Sequence, residues 1–260
     1  MLLSLVVAAT IAVTPSVDAA LVFLEDHTAP RNATVDARGA RVIRIHARAG
    51  WLKIRGQENA ANVEVRGTAR ASEEEWLDDI KLIAERKGDV VEIEVEMAER
   101  NYRDTDRGHR ALDLDIAVPA GVALEVQDSS GDLEIRDVGA LELSDSSGEI
   151  RLANIGGALE IEDSSGEMRI DGVRGNVRVR DSSGGIDIER ITGSVDVVED
   201  SSGEIDVRDV SGTVRVGRDS SGSINVDTVG GDFVVERDGS GDIDYRGVKG
   251  SVRVPGRRGR

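Results

Sequence analysis

The sequence predicts an all-β fold, a single-stranded parallel β-helix or β-solenoid of about seven regular 17–19-residue turns preceded by an irregular β region. Three observations carry this. First, Asp-Ser-Ser-Gly begins at Asp128, Asp145, Asp163, Asp181, Asp200 and Asp219, with Asp-Gly-Ser-Gly at Asp238, so successive motifs lie 17, 18, 18, 19, 19 and 19 residues apart. Second, each motif is followed by an apolar-polar-apolar triplet, as in Leu133-Glu134-Ile135 or Ile186-Asp187-Ile188. A lone apolar residue such as Val138, Ile155 or Val173 comes next, then a second triplet such as Val177-Arg178-Val179 or Val214-Arg215-Val216. Period-two alternation of β-branched residues over so short a span means strands, two per repeat. Third, Gly157, Gly175, Gly193, Gly212, Gly231 and Gly250 each lie nine residues after the glycine of the preceding motif, Ala140 taking that place in the first repeat. Glycine reaches positive φ without steric cost, so a glycine at both ends of a strand pair predicts two tight corners per turn. Corners of constant length leave no room for crossover helices. The chain therefore coils, each turn pairing with the next, and seven turns at one strand spacing stack to roughly 30 Å.

Composition agrees with this. Of 260 residues only 2% are aromatic, so the core must be built from Val, Ile, Leu and Ala. With no cysteine there are no disulfides, thiolate metal sites or lipid-modified cysteine. His27, His46 and His109 fit no metal-ligand spacing. The net charge is −17, and residues 128–260 carry 28 acidic against 17 basic side chains, a balance that repels nucleic acid.

Four segments follow. Residues 1–20 read as a signal peptide: Met1 to Val13 is uncharged and apolar, Pro15 breaks it, and Val17-Asp18-Ala19-Ala20 offers small residues at a cleavage site. That run is shorter than the ~20 residues a bilayer span needs, and no later stretch is apolar enough to span. The expected location is the periplasm or the exterior of a bacterium. Residues 21–127 form an irregular N-terminal β region continuous with the solenoid. Within it, Gly50-Trp51-Leu52-Lys53-Ile54-Arg55-Gly56 echoes the repeat, and Val63-Glu64-Val65-Arg66-Gly67 echoes it again. Ser72 to Asp78 suits a short helix with Glu75 at the capping-box position. The alternation from Ile80 through Lys87-Gly88-Asp89 to Met97 suits a hairpin, while Trp76, Ile80, Ile83 and Lys87 equally suit one helix from Ser72 to Lys87. Glu99 to Arg110 is a charged loop, after which Leu112 to Gly121 re-enters strand and feeds the first repeat. Residues 128–254 are the repetitive solenoid and 255–260 a basic tail ending Arg257-Arg258-Gly259-Arg260.

Two rows of side chains bear on function. Stacked turns place Asp128, Asp145, Asp163, Asp181, Asp200, Asp219 and Asp238 in one column. Two carboxylates ~4.8 Å apart repel by about 1 kcal/mol in water and about 3.5 kcal/mol at an effective dielectric of 20, so something must offset the repulsion. Either each aspartate accepts corner N–H groups in an Asx turn, with the serines helping, or the column is a ladder of cation sites, calcium being the natural ion. The Gly-Gly-x-Gly-x-Asp motif of calcium β-rolls is absent. The second row, between the apolar pairs of the second strand, runs Glu142, Glu160, Arg178, Asp196, Arg215, Val234, Arg253 and sets opposite charges side by side. No nucleophile-elbow, phosphate-cradling or zinc motif is present, and nearly every repeat carboxylate recurs at an equivalent place, as a structural role predicts.

Gly50 to Gly56, the hairpin around Gly88, Ile116-Ala117-Val118-Pro119-Ala120-Gly121, and the repeated Ser-Gly-x-apolar-x-apolar with Val-x-Gly corners together resemble the bacterial DUF4097 family, labelled adhesin and related to toastrack-type envelope modules. The resemblance covers nearly the whole mature chain. It implies a β-solenoid of extracytoplasmic bacterial proteins without an assigned catalytic residue. The expected function is a non-catalytic, exported, adhesin-like structural or interaction protein of the cell envelope with a protein or surface partner. The alternatives are a calcium-binding solenoid and a polysaccharide-binding or polysaccharide-lyase-like β-helix.

Overall fold

The computed structural model describes residues 26–98 and 108–256. Residues 1–25, among them the segment expected to be a signal peptide, lie outside the described residues, as do most of the charged loop and the last four residues of the basic tail. The alternating triplets are strands, as their periodicity dictates. In the N-terminal region these are β1 His27–Asp36, β2 Val42–His46, β3 Leu52–Gln57, β4 Asn62–Ala71, β5 Ile80–Lys87, β6 Val90–Met97, β7 Arg110–Pro119 and β8 Ala123–Gln127. In the repeats the first strand of each turn is β9 Leu133–Arg136, β11 Ile150–Ile155, β13 Met168–Val173, β15 Ile186–Ile191, β17 Ile205–Val210, β19 Ile224–Val229 and β21 Ile243–Val248. The second strands are β10 Leu141–Ser144, β12 Leu159–Glu162, β14 Val177–Arg180, β16 Val195–Glu199, β18 Val214–Asp219, β20 Phe233–Asp238 and β22 Val252–Arg253.

Each turn contributes one strand to each of two facing sheets. One sheet runs β1-β4-β7-β3-β9-β11-β13-β15-β17-β19-β21 and the other β22-β20-β18-β16-β14-β12-β10-β8-β2-β6-β5. All pairings within the repeats are parallel and keep equivalent residues in register, for example Ile150↔Met168↔Ile186↔Ile205 and Leu159↔Val177↔Val195↔Val214. Two apolar residues from each strand and the lone apolar residue between them turn inward, so the interior is a repeating aliphatic stack. Ile186, Ile188, Ile191, Val195 and Val197 are each at most 1% exposed.

The N-terminal region departs from chain order. β2 and β3 form a turn of the solenoid, as the Gly50–Gly56 echo implies, but it lies between the β6–β7 turn and the β8–β9 turn: β2 pairs in parallel with both β6 and β8, and β3 with both β7 and β9. The second echo does not extend the coil. Val63 to Gly67 lies in β4, which runs antiparallel to β1 and β7. The segment after it is a 3-10 turn, Glu74–Asp79, followed by a β5–β6 hairpin, which removes the single-helix alternative. The capping box does not form either. Glu73 occupies the N-cap without a side-chain bond, and Ser72, the expected cap, is bound elsewhere: its N–H donates to the His109 carbonyl and its hydroxyl accepts the His109 N–H at 2.9 Å.

The two kinds of corner are built differently. The motif glycines, such as Gly184 at φ +137°, have the expected positive φ. The glycines nine residues later do not. At that corner positive φ falls three residues earlier, on Asp137, Asn154, Gly172, Arg190, Asp209, Thr228 and Gly247, just before the inward lone apolar residue. Glycine is required at the later position by close approach: a Cβ on Gly193 would sit 2.4 Å from the carbonyl oxygen of Gly175 one turn below.

Candidate functional site

The column of aspartates sits at the motif corners, and its carboxyls turn into the core. Asp128, Asp145, Asp163, Asp181, Asp200 and Asp219 are between 0% and 6% exposed, and Asp238, in the last turn, is half-buried. The corner explains this placement. Where four residues run from the first inward position to the corner, as in Leu141-Glu142-Leu143-Ser144 before Asp145, period-two alternation carries the aspartate inward. Where the turn holds one residue more, as in Val195 to Glu199 before Asp200, a bulge that pairs Glu199 with Arg180 restores the inward direction. The backbone stacks tightly at that point: the glycine N–H of one corner bonds the second-serine carbonyl of the next, as in Gly166 to Ser183 at 3.0 Å and Gly184 to Ser202 at 2.9 Å. The second serine adds a side-chain rung, since Ser165, Ser183 and Ser221 Oγ each donate to the first-serine carbonyl of the preceding turn at 3.2 Å.

Five of the seven carboxyls are half satisfied. One oxygen takes the Asx-turn bond expected from sequence, from the following serine N–H at 2.8 Å for Asp128, 2.7 Å for Asp163 and 2.7 Å for Asp181, or from the second serine N–H at 3.3 Å for Asp200 and 3.1 Å for Asp219. The other oxygen, Oδ2 of Asp128, Asp163, Asp181, Asp200 and Asp219, is buried without a protein partner; Asp145 has both oxygens in that condition and Asp238 its Oδ1. Burial disfavours the charged form, so the pKa of every member is raised. Asp128 is pushed up to about 7 by desolvation, with the neighbouring Asp145 adding to it. Asp200 is pushed up to about 6 by desolvation and by Asp181 and Asp219 on either side, and Asp219 to about 6 by desolvation with Asp238 adding to it. The corner N–H groups act in the opposite sense and do not win. Among the described residues no three His, Asp, Glu or Cys side chains converge into a metal-holding group.

The outer faces carry the charge rows. Arg178 lies 3.6 Å from Glu160 and 3.3 Å from Asp196, and Arg215 lies 2.8 Å from both Asp196 and Glu236. Toward the N-terminal side the alternation stops: Glu142 stands directly between Glu125 and Glu160. Four surface depressions hold about 180 to 400 Å³ each: one on the second-strand face is lined by Arg44, Glu125, Glu142 and Glu160, two lie on the first-strand face over Arg208 and Asp227 and over Arg169 and Asp187, and one lies beside the 3-10 turn, lined by Arg48, Asp78 and Lys81.

One constellation is not legible in the sequence. Ser72 Oγ lies 3.0 Å from His109 Nδ1, and His109 Nε2 lies 3.0 Å from Asp26 Oδ2. The residue types are those of a nucleophilic triad, but here the hydroxyl accepts the His109 backbone N–H and the imidazole is 56% exposed. The group ties the end of β4 to the start of β7, two segments 37 residues apart that only folding brings together.

No curated protein matches the chain. Among solved structures, a "putative adhesin" of Bacteroides fragilis is similar over 87% of this chain and 96% of its own, at 12% identity and a TM-score of 0.52, a likeness of fold. A "putative lipid binding protein" of Parabacteroides distasonis, at 16% identity, covers 87% of this chain and 97% of its own with a TM-score of 0.46. A "putative cell adhesion protein" of Clostridium sporogenes, at 14% identity, covers 87% and 98% with a TM-score of 0.37. Residues 43–256 match the family model described as Toastrack DUF4097, and the chain belongs to that family.

Proposed function

We propose that the protein is an exported, non-catalytic interaction module of the bacterial envelope or surface, adhesin-like in that it presents rigid charged sheet faces to a protein partner. The observation that supports this most is the division of labour along each turn. The inward positions are aliphatic or belong to the aspartate column, the outward ones form charge rows, and three depressions open over those outer faces. A partner is then met by an extended surface whose charge order sets register and orientation. Adhesin-labelled fold neighbours agree with the reading. No helix among the described residues is long and apolar enough to cross a membrane.

The test is a pull-down from native envelopes with the parent and with Arg178→Glu/Arg215→Glu, which reverses two rungs of the outer row. The expected result is a partner retained by the parent and lost by the variant at unchanged β-sheet circular dichroism. Turnover in a polysaccharide-lyase screen, or labelling of Ser72 by a fluorophosphonate, would contradict the non-catalytic reading.

A further inference from the structure

The six deeply buried corner aspartates each aim a carboxyl oxygen that has no protein partner into the same column, turn after turn. Parallel register fixes the spacing: Asp219 pairs with Asp238 in the β18–β20 ladder, and Asp200 bridges Asp219 directly. A carboxyl is roughly 2.2 Å wide, so at a strand spacing of about 4.8 Å carboxyls set edge-on along the column bring oxygens of successive turns to about 2.6 Å, the separation of a short O–H···O bond. We propose that the column is an acid ladder, in which the carboxyl of one turn, held as the neutral acid, donates its O–H to the carboxyl of the adjacent turn. The solenoid then binds protons along its interior where a metal site would need more oxygens than the corner supplies. Calcium takes six to eight oxygen ligands, whereas each gap between turns offers two carboxyls.

The surroundings of the column favour the neutral form. From its own strands the flanking residues are Gln127, Ser144, Glu162, Arg180, Glu199, Arg218 and Arg237, which lie toward the outside, where Arg180 bonds Glu162 and Arg218 bonds Glu199. Beyond the corner glycines stand Asp132, Glu149, Glu167, Glu204 and Asp242 on the surface, with Glu149 and Glu167 on Arg169. The interior neighbours are aliphatic, such as Ile186 and Ile205 on one sheet and Val179 and Val197 on the other. The charges that act on the buried carboxyls are the other carboxyls of the column. A stack of amides repeats the same bonding at any pH, as asparagine ladders do between stacked strands. Asparagine at these corners is therefore a permanent copy of the protonated acid.

The experiment is thermal unfolding of the full chain and of Asp181→Asn/Asp200→Asn at pH 5 and pH 8, without divalent ions and with calcium or magnesium at matched ionic strength. The ladder predicts that the parent melts at least about 5 °C lower at pH 8 than at pH 5, that the variant loses less over the same interval and melts no lower than the parent at pH 8, and that calcium does no more than magnesium. A variant that melts below the parent at both pH values, or calcium raising the parent's melting point beyond magnesium, overturns the ladder; the second result puts a cation in the column. Should the double variant fail to fold, the parent decides alone: a lower melting point at pH 8 carries the proposal and a flat or rising profile overturns it.

Discussion

At the scale of the residue, the corner glycine of Asp-Ser-Ser-Gly is held in place twice over, by conformation and by contact. Gly184 has φ +137°, and a Cβ there would lie 1.7 Å from the carbonyl oxygen of Gly166, part of a backbone whose Gly166 N–H is tied to the Ser183 carbonyl. Gly184→Ala is expected to cost about 3–5 kcal/mol, a fall of roughly 6–20 °C in melting temperature for a chain of this size. The neighbouring serine rung is worth less. Ser183→Ala removes one hydroxyl donor to the Ser164 carbonyl and is expected to cost about 1 kcal/mol by denaturant unfolding. The glycines and the seven motifs were legible because a single residue type recurs at a fixed period. The direction of the aspartate was not: a carboxylate in a polar motif reads as a surface group, and only the stacked corner, with a bulge where the turn is one residue longer, turns it inward. The second corner misled for a related reason, since glycine serves there to let two backbones approach, while Asp137, Asn154, Arg190, Asp209 and Thr228 carry the left-handed conformation.

At the scale of the element, pairing across strands decides which surface charges help. Arg215 stands between Asp196 and Glu236, so Arg215→Ala should lower stability by about 0.5–1 kcal/mol at low salt and by almost nothing in 1 M salt. Glu142, between Glu125 and Glu160, is the opposite case: Glu142→Lys turns two repulsions into attractions and should raise the melting temperature by a degree or more at low salt. The first triplet of each repeat, its partner strand and the charge row were all readable from period-two alternation. The order of the N-terminal strands was not, because β2–β3 inserts between turns that come later in the chain, and local pattern carries no information about which strand a distant one will lie beside. The choice between hairpin and helix at Ile80–Lys87 was undecidable locally for the same reason; pairing with β6 decides it.

At the scale of the whole molecule, a solenoid is a sum of nearly equivalent turns, each stabilised by its neighbours. Excising residues 182–200, one 19-residue repeat from Asp181 to Asp200, joins Asp181 directly to the next Ser-Ser-Gly. The product should remain folded, with β-sheet circular dichroism per residue unchanged and each sheet one strand shorter. Titration acts on the whole stack in two opposite directions. Asp89, Glu92 and Asp227 on the surface have lowered pKa values, chiefly from Arg41, Lys87 and Arg246 respectively, so what they contribute is present above the unfolded carboxyl range and is lost as pH falls below about 4. The column has raised values, so its contribution is full below the unfolded pKa of about 4 and is lost as pH rises through 6 to 7. Stability should therefore peak on the acid side, near pH 4 to 6, and decline toward pH 8. The most direct test of the inward column is a carbon-13 titration of the aspartate side-chain carboxyls in the folded, aspartate-labelled chain. The structure predicts a group of carboxyls, Asp128, Asp200 and Asp219 among them, that stay protonated above pH 5 and titrate near 6 to 7; a spectrum in which every aspartate titrates at or below about 4 would contradict it.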